Sequence, residues 1–243
     1  MVSALVASLD VVARARRRGW ARWLDGAGAA VTGLPHPSLN GVWAVDPAGS
    51  VEAIEAALAR VAAADLPYCL EASPACAAAP AAAAALGLVA GPEVGVYVAE
   101  GPVRGQRPPE LAVRRLQPPE AALHAQIADA ADLLPPGIDA DALVTPAVLA
   151  RPEVRGYVGE VGDRPVATAL SVTTGDAVAA FDVATVPEHR RRGYATALVA
   201  RAVSDARAAG ASWSWLQASD AAAGLYERVG FTLLERWRTW GTN

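Results

Sequence analysis

The chain has 243 residues, of which 53% are hydrophobic and 19% are charged, a composition that favours a folded globular protein and argues against disorder. The formal net charge of −4 gives no general affinity for a nucleic-acid backbone. This length is enough for two compact domains that each bury a core.

The first hundred residues alternate between helix and strand patterns. Apolar residues at helical spacing predict a helix over 3–24, and a stretch rich in Gly and Pro predicts a loop or irregular strand over 26–40. Short apolar runs predict strands over 41–45, 67–71 and 93–98, and helical patterns cover 51–64 and 74–86.

Neither the cysteines nor the N-terminus indicates export or a metal site. Cys69 and Cys76 have no histidine cluster nearby, so we expect two buried thiols in a reducing compartment, and no metal. The arginines at 16–18 follow the apolar N-terminal residues instead of preceding them, which is not the order of a signal peptide. We therefore expect a cytoplasmic protein.

Gly and Pro residues at 101–109 predict a linker between an N-terminal domain at 1–100 and a second domain at 110–243. After it the patterns predict a strand over 110–116, helices over 119–134 and 139–150, and strands over 155–161, 165–173 and 177–186. A helix from Gly193 to about Gly210, a strand over 212–218, a helix over 221–229 and a strand over 231–240 complete the order.

One loop in the second domain has the properties of an anion-binding site. A buried strand ends near Val186, three arginines follow a proline, and a helix starts at Gly193. The first amides of a helix lack intrahelical partners and lie at the positive end of its dipole, so they attract anions. Glycine there lets the backbone approach a ligand closely.

The pattern Arg190-x-x-Gly193-x-Ala195 resembles the pyrophosphate-binding motif of the GCN5-related N-acetyltransferases (GNAT family). Residues 219–231, SDAAAGLYERVGF, resemble the later segment of that family, Asn-x-x-Ala-x-x-Leu-Tyr-x-x-x-Gly-Phe. The resemblance covers the second half of the chain and implies an α/β (α+β) fold with a central mixed, mostly antiparallel sheet flanked by helices.

The first half is similar to a degenerate copy of the second, which implies a smaller GNAT-like α/β half. Leu70-Glu71-Ala72-Ser73 resembles Leu216-Gln217-Ala218-Ser219, for example. The first half lacks the arginine-glycine loop, so it should not bind coenzyme A in the same way. An unrelated α/β domain is the alternative.

The resemblance implies that acetyl-CoA is the co-substrate. In that family the central strand splays from its neighbour and its backbone binds the pantetheine arm, while the loop holds the pyrophosphate. The implied cofactor-binding residues are Val183, Ala184, Thr185, Arg190, Arg191, Arg192, Gly193, Tyr194, Ala195, Thr196 and Ser219, the last replacing the usual asparagine.

The resemblance also implies that Tyr226 delivers a proton to the departing thiolate. The general base stays open: the usual glutamate positions hold Ser214 and Ala179, and Asp182, Glu160 or a water relay could serve. We expect Tyr226 and Asp182 to be catalytic and His189 to be solvated.

These residues favour an N-acetyltransferase that acts on a primary amine of a small molecule or peptide. A coenzyme A-binding module without turnover is the second interpretation, and a nucleic-acid-binding protein is a weak third. We expect no membrane or nucleic-acid partner, and a homodimer is an open possibility. The acidic net charge favours a cationic acceptor.

Overall fold

The computed structural model describes residues 2–15, 19–24, 26–133 and 143–242. The chain forms two compact units: unit 1 comprises Met1–Val96, Gln217–Asp220 and Leu233–Asn243, and unit 2 comprises Tyr97–Leu216 and Ala221–Thr232. The 101–109 segment lies within unit 2 and most of the last strand lies within unit 1. The first boundary between the units lies between Val96 and Tyr97, close to the start of the predicted linker.

Unit 1 is a mixed α/β unit whose strands lie in the order β1-β2-β3-β4-β12, with β5 paired to β12. The β3–β4 pair is parallel, and the other described pairs are antiparallel. Its elements are α1 (Val2–Arg14), β1 (Trp20–Leu24), β2 (Ala27–Val31), β3 (Asn40–Ala44), α2 (Val51–Ala62), β4 (Cys69–Ala72), α3 (Ala79–Ala85), β5 (Val89–Ala90), the start of β6 (Val94–Ala99) and most of β12 (Thr232–Gly241).

Helix α2 shows why this unit folds as it does. Ser50 caps the helix by accepting a hydrogen bond from the Ala53 amide, at 3.1 Å. Ile54, Leu58 and Val61 then fall on one face and pack into the core of unit 1, which also contains the buried Cys76. Cys69 is buried as well, and both thiols are free.

The predicted helix over 3–24 is wrong in its second half. Helix α1 ends at Arg14, and Trp20–Leu24 is a strand that pairs antiparallel with Ala27–Val31. The tryptophans of this segment suit a strand as well as a helix, and the tertiary pairing decides between them. Arg16, Arg17 and Arg18 lie outside the described residues.

Unit 2 contains a sheet in the order β11-β10-β9-β8-β7, in which only the β10–β11 pair is parallel among the described strands. Its elements are β7 (Leu111–Arg115), α4 (Ala121–Ala130), α5 (Pro146–Leu149), β8 (Val154–Val161), β9 (Arg164–Thr174), β10 (Ala177–Thr185), α6 (Tyr194–Ala208), most of β11 (Trp213–Ala218) and most of α7 (Asp220–Glu227). The predicted helix over 139–150 is seen only as α5, because residues 134–142 lie outside the described range.

Helices α4 and α6 pack on opposite faces of this sheet. Ala167 and Ala169 of β9 pack with Leu198 and Ala202 of α6, whereas Thr168 between them contacts His124 of α4. Successive strand residues point to opposite faces, so the two helices sandwich the sheet. The mixed, mostly antiparallel sheet flanked by helices confirms the predicted fold class.

The 101–109 segment is packed against helix α6. A Cβ on Gly105 would lie 2.4 Å from the Thr196 carbonyl oxygen, so only glycine allows this approach. The Arg104 amide also donates to the Val229 carbonyl at 2.8 Å. Within the part of the chain that the structure describes, no helix is both long and apolar enough to cross a membrane.

Candidate active site

Strand β10 separates from its parallel neighbour β11 after the first three of its nine residues. The two strands pair over Ala177–Ala179, but β10 continues to Thr185. Over the described residues, the backbone beyond Ala179 therefore has no strand partner on that side. Such an edge inside a cleft can bind an extended ligand as an added strand.

A β-bulge interrupts β10 at the same place. Phe181 pairs with Leu170 and Ala184 pairs with Thr168, so Asp182 and Val183 together oppose the single residue Ala169. Asp182 has a φ of 48°, in the left-handed region, which is rare for a residue with a side chain. A bulge leaves the extra residue out of the ladder and redirects its side chain, a device found near active sites.

The loop after β10 leaves the first amides of α6 open. Gly193 has a φ of 82° and precedes the helix, and Arg191 has a φ of 64°. The first amide bonded into the helix is that of Ala197, which donates to the Gly193 carbonyl at 3.0 Å. No described residue accepts a hydrogen bond from the amides of residues 191–196. Successive free amides at a helix start form an anion-binding concavity.

The three arginines of the loop have different surroundings. Arg190 donates to the carbonyls of Thr185 at 3.1 Å and Ala131 at 2.7 Å, so it ties the loop to the end of α4. Arg192 donates to the Glu188 carbonyl at 3.2 Å. Arg191 is exposed and makes no described side-chain hydrogen bond. Arg191 is therefore the loop guanidinium most available to a ligand.

A cavity of about 430 Å³ lies between the loop, β10 and the end of α7. Its charged lining residues are Arg190, Arg191 and Arg228, and no carboxylate is among the described residues that line it. Two buried polar atoms in this lining, the Thr185 hydroxyl and His189 Nδ1, have no hydrogen-bond partner among the described residues. A cationic cavity with open amides and an unpaired hydroxyl suits a phosphorylated ligand.

His189 differs from its prediction. It is half-buried, lines the cavity and lies 6.0 Å from the Tyr194 ring between centroids. Its Nδ1 is enclosed and has no hydrogen-bond partner among the described residues, so the expectation of a solvated side chain is wrong for this part of the ring.

Tyr226 lies on α7 beside this cavity but does not line it, whereas its neighbour Leu225 does. The ring packs edge-on to Phe231 with centroids 6.1 Å apart. Burial raises the pKa of Tyr226 to about 12. At neutral pH the phenol therefore stays protonated, and it is a weaker acid than an ordinary tyrosine.

Asp182 faces α4, where it meets a histidine that sequence reasoning missed. His124 Nε2 lies 3.9 Å from Asp182 Oδ2, and His124 is 1% exposed whereas the Asp182 side chain is 23% exposed. Burial raises the pKa of Asp182 to about 6 and lowers the pKa of His124 to about 4. Both groups are therefore shifted toward their neutral forms by the same apolar surroundings.

Hydrogen bonding assigns the tautomer of His124. The Thr168 hydroxyl donates to the Tyr157 carbonyl at 3.1 Å, so it must accept from His124 Nδ1, which lies 2.7 Å away. Nε2 then carries a lone pair, has no hydrogen-bond partner among the described residues, and points at Asp182. Two proton acceptors that face each other form a site that takes up one proton.

The other predicted residues have separate roles. Glu160 is ion-paired with Arg114 at 2.9 Å. Ser214 is buried and donates to the Ala99 carbonyl at 3.2 Å. Ser219 belongs to unit 1 and lines a different cavity.

Most of the remaining cofactor-binding candidates lie at the loop cavity. Val183, Thr185, Gly193, Tyr194, Ala195 and Thr196 line it, whereas the Ala184 side chain is buried on the other face of β10 and Arg192 is outside the lining. The Thr196 hydroxyl donates to the Gly193 carbonyl at 2.7 Å, which fixes the left-handed residue at the helix start.

Sequence signals for the missed residues existed but were weak. His124 interrupts a run of apolar residues on the buried face of α4, with Ala121, Ala125 and Ala128. Arg228 follows α7 directly and lies beside Gly224, where a Cβ would be 3.3 Å from its guanidinium. A single buried histidine and a single surface arginine are both common, so neither stood out.

The sequence profile of the acetyltransferase (GNAT) family matches residues 124–231. No curated protein sequence matches the chain. Among solved structures, a GCN5-related N-acetyltransferase from Kribbella flavida has a TM-score of 0.68 at 21% identity, covering 99% of this chain and 93% of its own.

Two further structures resemble the chain over most of its length. A structure from Novosphingobium aromaticivorans, named for an acetyltransferase of the GNAT family, has a TM-score of 0.61 at 19% identity, covering 99% of this chain and 93% of its own. A tandem GNAT protein from the clavulanic acid biosynthesis pathway has a TM-score of 0.56 at 16% identity, covering 89% of this chain and 78% of its own. Residues 124–231 thus form an acetyltransferase domain of the GNAT family, and the solved structures show the same fold over most of the chain.

Proposed function

We propose that this protein transfers the acetyl group of acetyl-CoA to a primary amine. The observation that carries the proposal is the cationic cavity at the start of α6, where the amides of residues 191–196 have no described protein acceptor. The GNAT family uses acetyl-CoA, and a diphosphate matches the open amides and nearby guanidinium groups in charge and geometry.

The residues of the cavity divide between two parts of the co-substrate. The amides of 191–196, with Arg191 and Arg228, would bind the diphosphate. The free backbone of β10 at Val183, Ala184 and Thr185 would bind the pantetheine arm, and the unpaired Thr185 hydroxyl supplies one further hydrogen bond. Arg190 and Arg192 would act by holding the loop, and Ser219 is left out of the site.

Asp182 is the proposed general base. An amine must lose a proton to attack the thioester, and a carboxylate with a pKa of about 6 is mostly ionised at neutral pH yet more basic than an ordinary aspartate. An amide of the bulge would donate to the oxygen of the tetrahedral intermediate. His124 would be a positioning residue, because its Nε2 lone pair faces Asp182 and favours a proton between them.

The role of His124 can be tested by His124→Phe, which preserves apolar volume and removes the lone pair. We expect the acid limb of kcat/KM, near pH 6 in the unmodified protein, to move to lower pH, since the neutral form of Asp182 loses its acceptor. A purely structural role would lower stability or the rate without moving the limb.

A coenzyme A-binding protein without turnover is the second candidate. The observation in its favour is the pKa of about 12 for Tyr226, which makes proton transfer to a thiolate of ordinary pKa unfavourable by roughly 5 kcal/mol. In Tyr226→Phe, an enzyme that uses the phenol loses rate at unchanged acetyl-CoA affinity. A binding protein shows no change in either quantity.

The experiment for the main proposal is a titration with acetyl-CoA, followed by an assay of free thiol release over a panel of primary amines. We expect one molecule bound per chain, and turnover with amines but not with the matching alcohols. Thr185→Val should weaken acetyl-CoA binding about threefold to tenfold, the worth of one hydrogen bond. Thr174→Val is the matched control, since its hydroxyl is equally buried and unpaired but does not line the cavity.

Absence of acetyl-CoA binding by folded protein would overturn the proposal.

The free, buried thiols of Cys69 and Cys76 also support our expectation of a cytoplasmic location. The acceptor would be a small-molecule or peptide amine, and a homodimer is compatible with the proposal.

A further inference from the structure

Unit 1 contains a second cavity, of about 520 Å³, with chemistry opposite to that of the loop cavity. Its walls include the apolar residues Val89, Ala90, Pro92 and Trp240. Its carboxylates are Glu71 and Glu93, and no arginine is among the described residues that line it. The volume and the mostly apolar walls are typical of a small-molecule site.

Glu71 is the unusual member of this lining. It sits in the middle of β4 and is 8% exposed, yet no cation pairs with it among the described residues. Its Oε2 accepts hydrogen bonds from Trp43 Nε1 at 3.1 Å and from Gln217 Nε2 at 2.8 Å. Both donors are neutral, so they hold the carboxylate in place without balancing its charge.

The second carboxylate oxygen is directed at the cavity. Oε1 of Glu71 has no hydrogen-bond partner among the described residues, and it is not fully enclosed by protein. Glu71 itself lines the cavity. The strand register explains this orientation, because Glu71 pairs with Trp43 on one side and Thr239 on the other. The cavity thus exposes one acceptor oxygen on an otherwise buried acid.

The other titratable groups in the lining add no positive charge. Burial lowers the pKa of His36, and its Nδ1 already accepts from the Ser38 amide at 3.2 Å. Burial and the neighbouring Glu71 raise the pKa of the Cys69 thiol, which therefore stays neutral. Burial also raises the pKa of Glu71, and the hydrogen bonds from Gln217 and Trp43 lower it, so a cation at Oε1 would stabilise the ionised carboxylate.

We infer that this cavity binds a small organic cation, a protonated amine attached to an apolar group, with the ammonium donating to Glu71 Oε1. An ammonium supplies both the missing charge and the missing donor, and the apolar group occupies the walls of the cavity. An anion would meet two carboxyl groups there, and a neutral ligand would supply no charge to stabilise the ionised form of Glu71.

The test uses 2-phenylethylamine as the probe, with 2-phenylethanol and 3-phenylpropanoate as the neutral and anionic counterparts. Binding to the full chain is measured by calorimetry without acetyl-CoA, and the indole N–H signal of Trp43 is followed by NMR. We expect the amine alone to bind, at millimolar concentration or below, and to shift the Trp43 signal. Equal binding of all three probes, or none, would overturn the inference.

Glu71→Gln keeps the shape and an acceptor for Trp43 and Gln217, but removes the charge, so amine affinity should fall at least tenfold. The matched control is Glu93→Gln, which removes an equal charge from an exposed position in the same lining and should change affinity less than threefold. Equal losses in both variants would mean that the amine responds to general surface charge.

Two further variants keep the result interpretable. Ala90→Trp fills the cavity from an exposed strand position and should abolish binding even where Glu71→Gln proves unstable. Asp182→Asn, which changes the proposed acetyltransfer site, should leave amine binding in this cavity unchanged. Loss of amine binding in Asp182→Asn would assign the probe to the acceptor site and refute the second site. Failure of acetyl-CoA to bind would bear only on the proposed function, on which this inference does not depend.

Discussion

The two units share one connectivity and differ at the points where unit 2 is proposed to bind its co-substrate. In unit 1 three antiparallel strands, a helix and a parallel strand follow each other as β1-β2-β3-α2-β4. In unit 2 the same order is β8-β9-β10-α6-β11. The differences between the units therefore lie in how the strands pair and in the residues at the helix starts.

Strand β3 keeps both of its strand partners up to its last residue, whereas its counterpart β10 does not. The β2–β3 pairing runs from Ala27 to Val31 without a register shift, whereas the β9–β10 pairing contains the bulge at Asp182. The parallel β3–β4 pairing continues to Ala44, the last residue of β3. The β10–β11 pairing stops at Ala179, well before the end of β10.

The starts of α2 and α6 also differ, since the first is capped by a side chain and the second is not. The Ser50 side chain accepts from the Ala53 amide, and the Asp46 side chain accepts from the Ala48 amide at 2.9 Å. At α6 a left-handed glycine replaces the capping side chain, and the amides stay open. The comparison teaches that the shared strand-helix unit does not itself create an anion site; the cap residues decide whether one exists.

The largest expected effect comes from removing the carboxylate of the bulge. Asp182→Asn should lower kcat by about 100-fold or more, since no base then takes the proton of the amine. Acetyl-CoA affinity should stay within about twofold, because Asp182 does not line the loop cavity. Asp163→Asn, in an exposed turn of the same unit, is the control and should retain full activity.

The same substitution should change the pH dependence of stability. The folded-state pKa of Asp182 is raised to about 6, so its contribution to stability is present below its unfolded pKa and is lost as the pH rises through about 6. Asp182→Asn should therefore be more stable than the unmodified protein at pH 7.5, by at most about 3 kcal/mol.

Urea unfolding of both proteins from acidic to neutral pH measures this difference, which should shrink toward pH 4. His124, with its pKa lowered to about 4, contributes in the opposite sense in both proteins: its stabilisation is present above its unfolded pKa and is lost as the pH falls through about 4. A difference that is constant with pH would contradict the raised pKa of Asp182.

A smaller effect is expected from the residue that starts α6. Gly193→Val should weaken acetyl-CoA binding by about tenfold or more, because a β-branched residue strains a φ of 82° and shifts the open amides. Gly193→Asn is the matched variant: asparagine tolerates this conformation, and the space for its Cβ is free to 3.7 Å. Equal affinities for the two variants, measured by calorimetry, would remove the amides from the proposed site.

The smallest effect should come from the capped helix of unit 1. Ser50→Ala should lower the free energy of unfolding by about 1 kcal/mol, the usual worth of a cap, and leave acetyl-CoA affinity and stoichiometry unchanged. Thermal unfolding and the acetyl-CoA titration check both parts. A second acetyl-CoA bound by Ser50→Ala would mean that the cap alone had closed a site in unit 1.

The sequence predicted much of this fold and part of the site. The strand, loop and helix from Ala177 to Ala208 followed from local spacing, whereas the cofactor-binding candidates on the loop and β10 came from the resemblance to the GNAT family and stay predictions. The N-terminal helix was too long because Trp20–Leu24 takes its state from pairing with β2. The linker over 101–109 stays a prediction, and the packing of its Gly105 on α6 was not visible in the sequence.

What the sequence alone determined are features set by neighbours along the chain: the order of the elements, the open helix start and its arginines. Only the tertiary structure decided that Asp182 meets His124 and that Glu71 opens onto a cavity of its own. Those arrangements depend on a one-residue bulge and on strand register, which change the direction of a side chain while leaving the local sequence pattern the same.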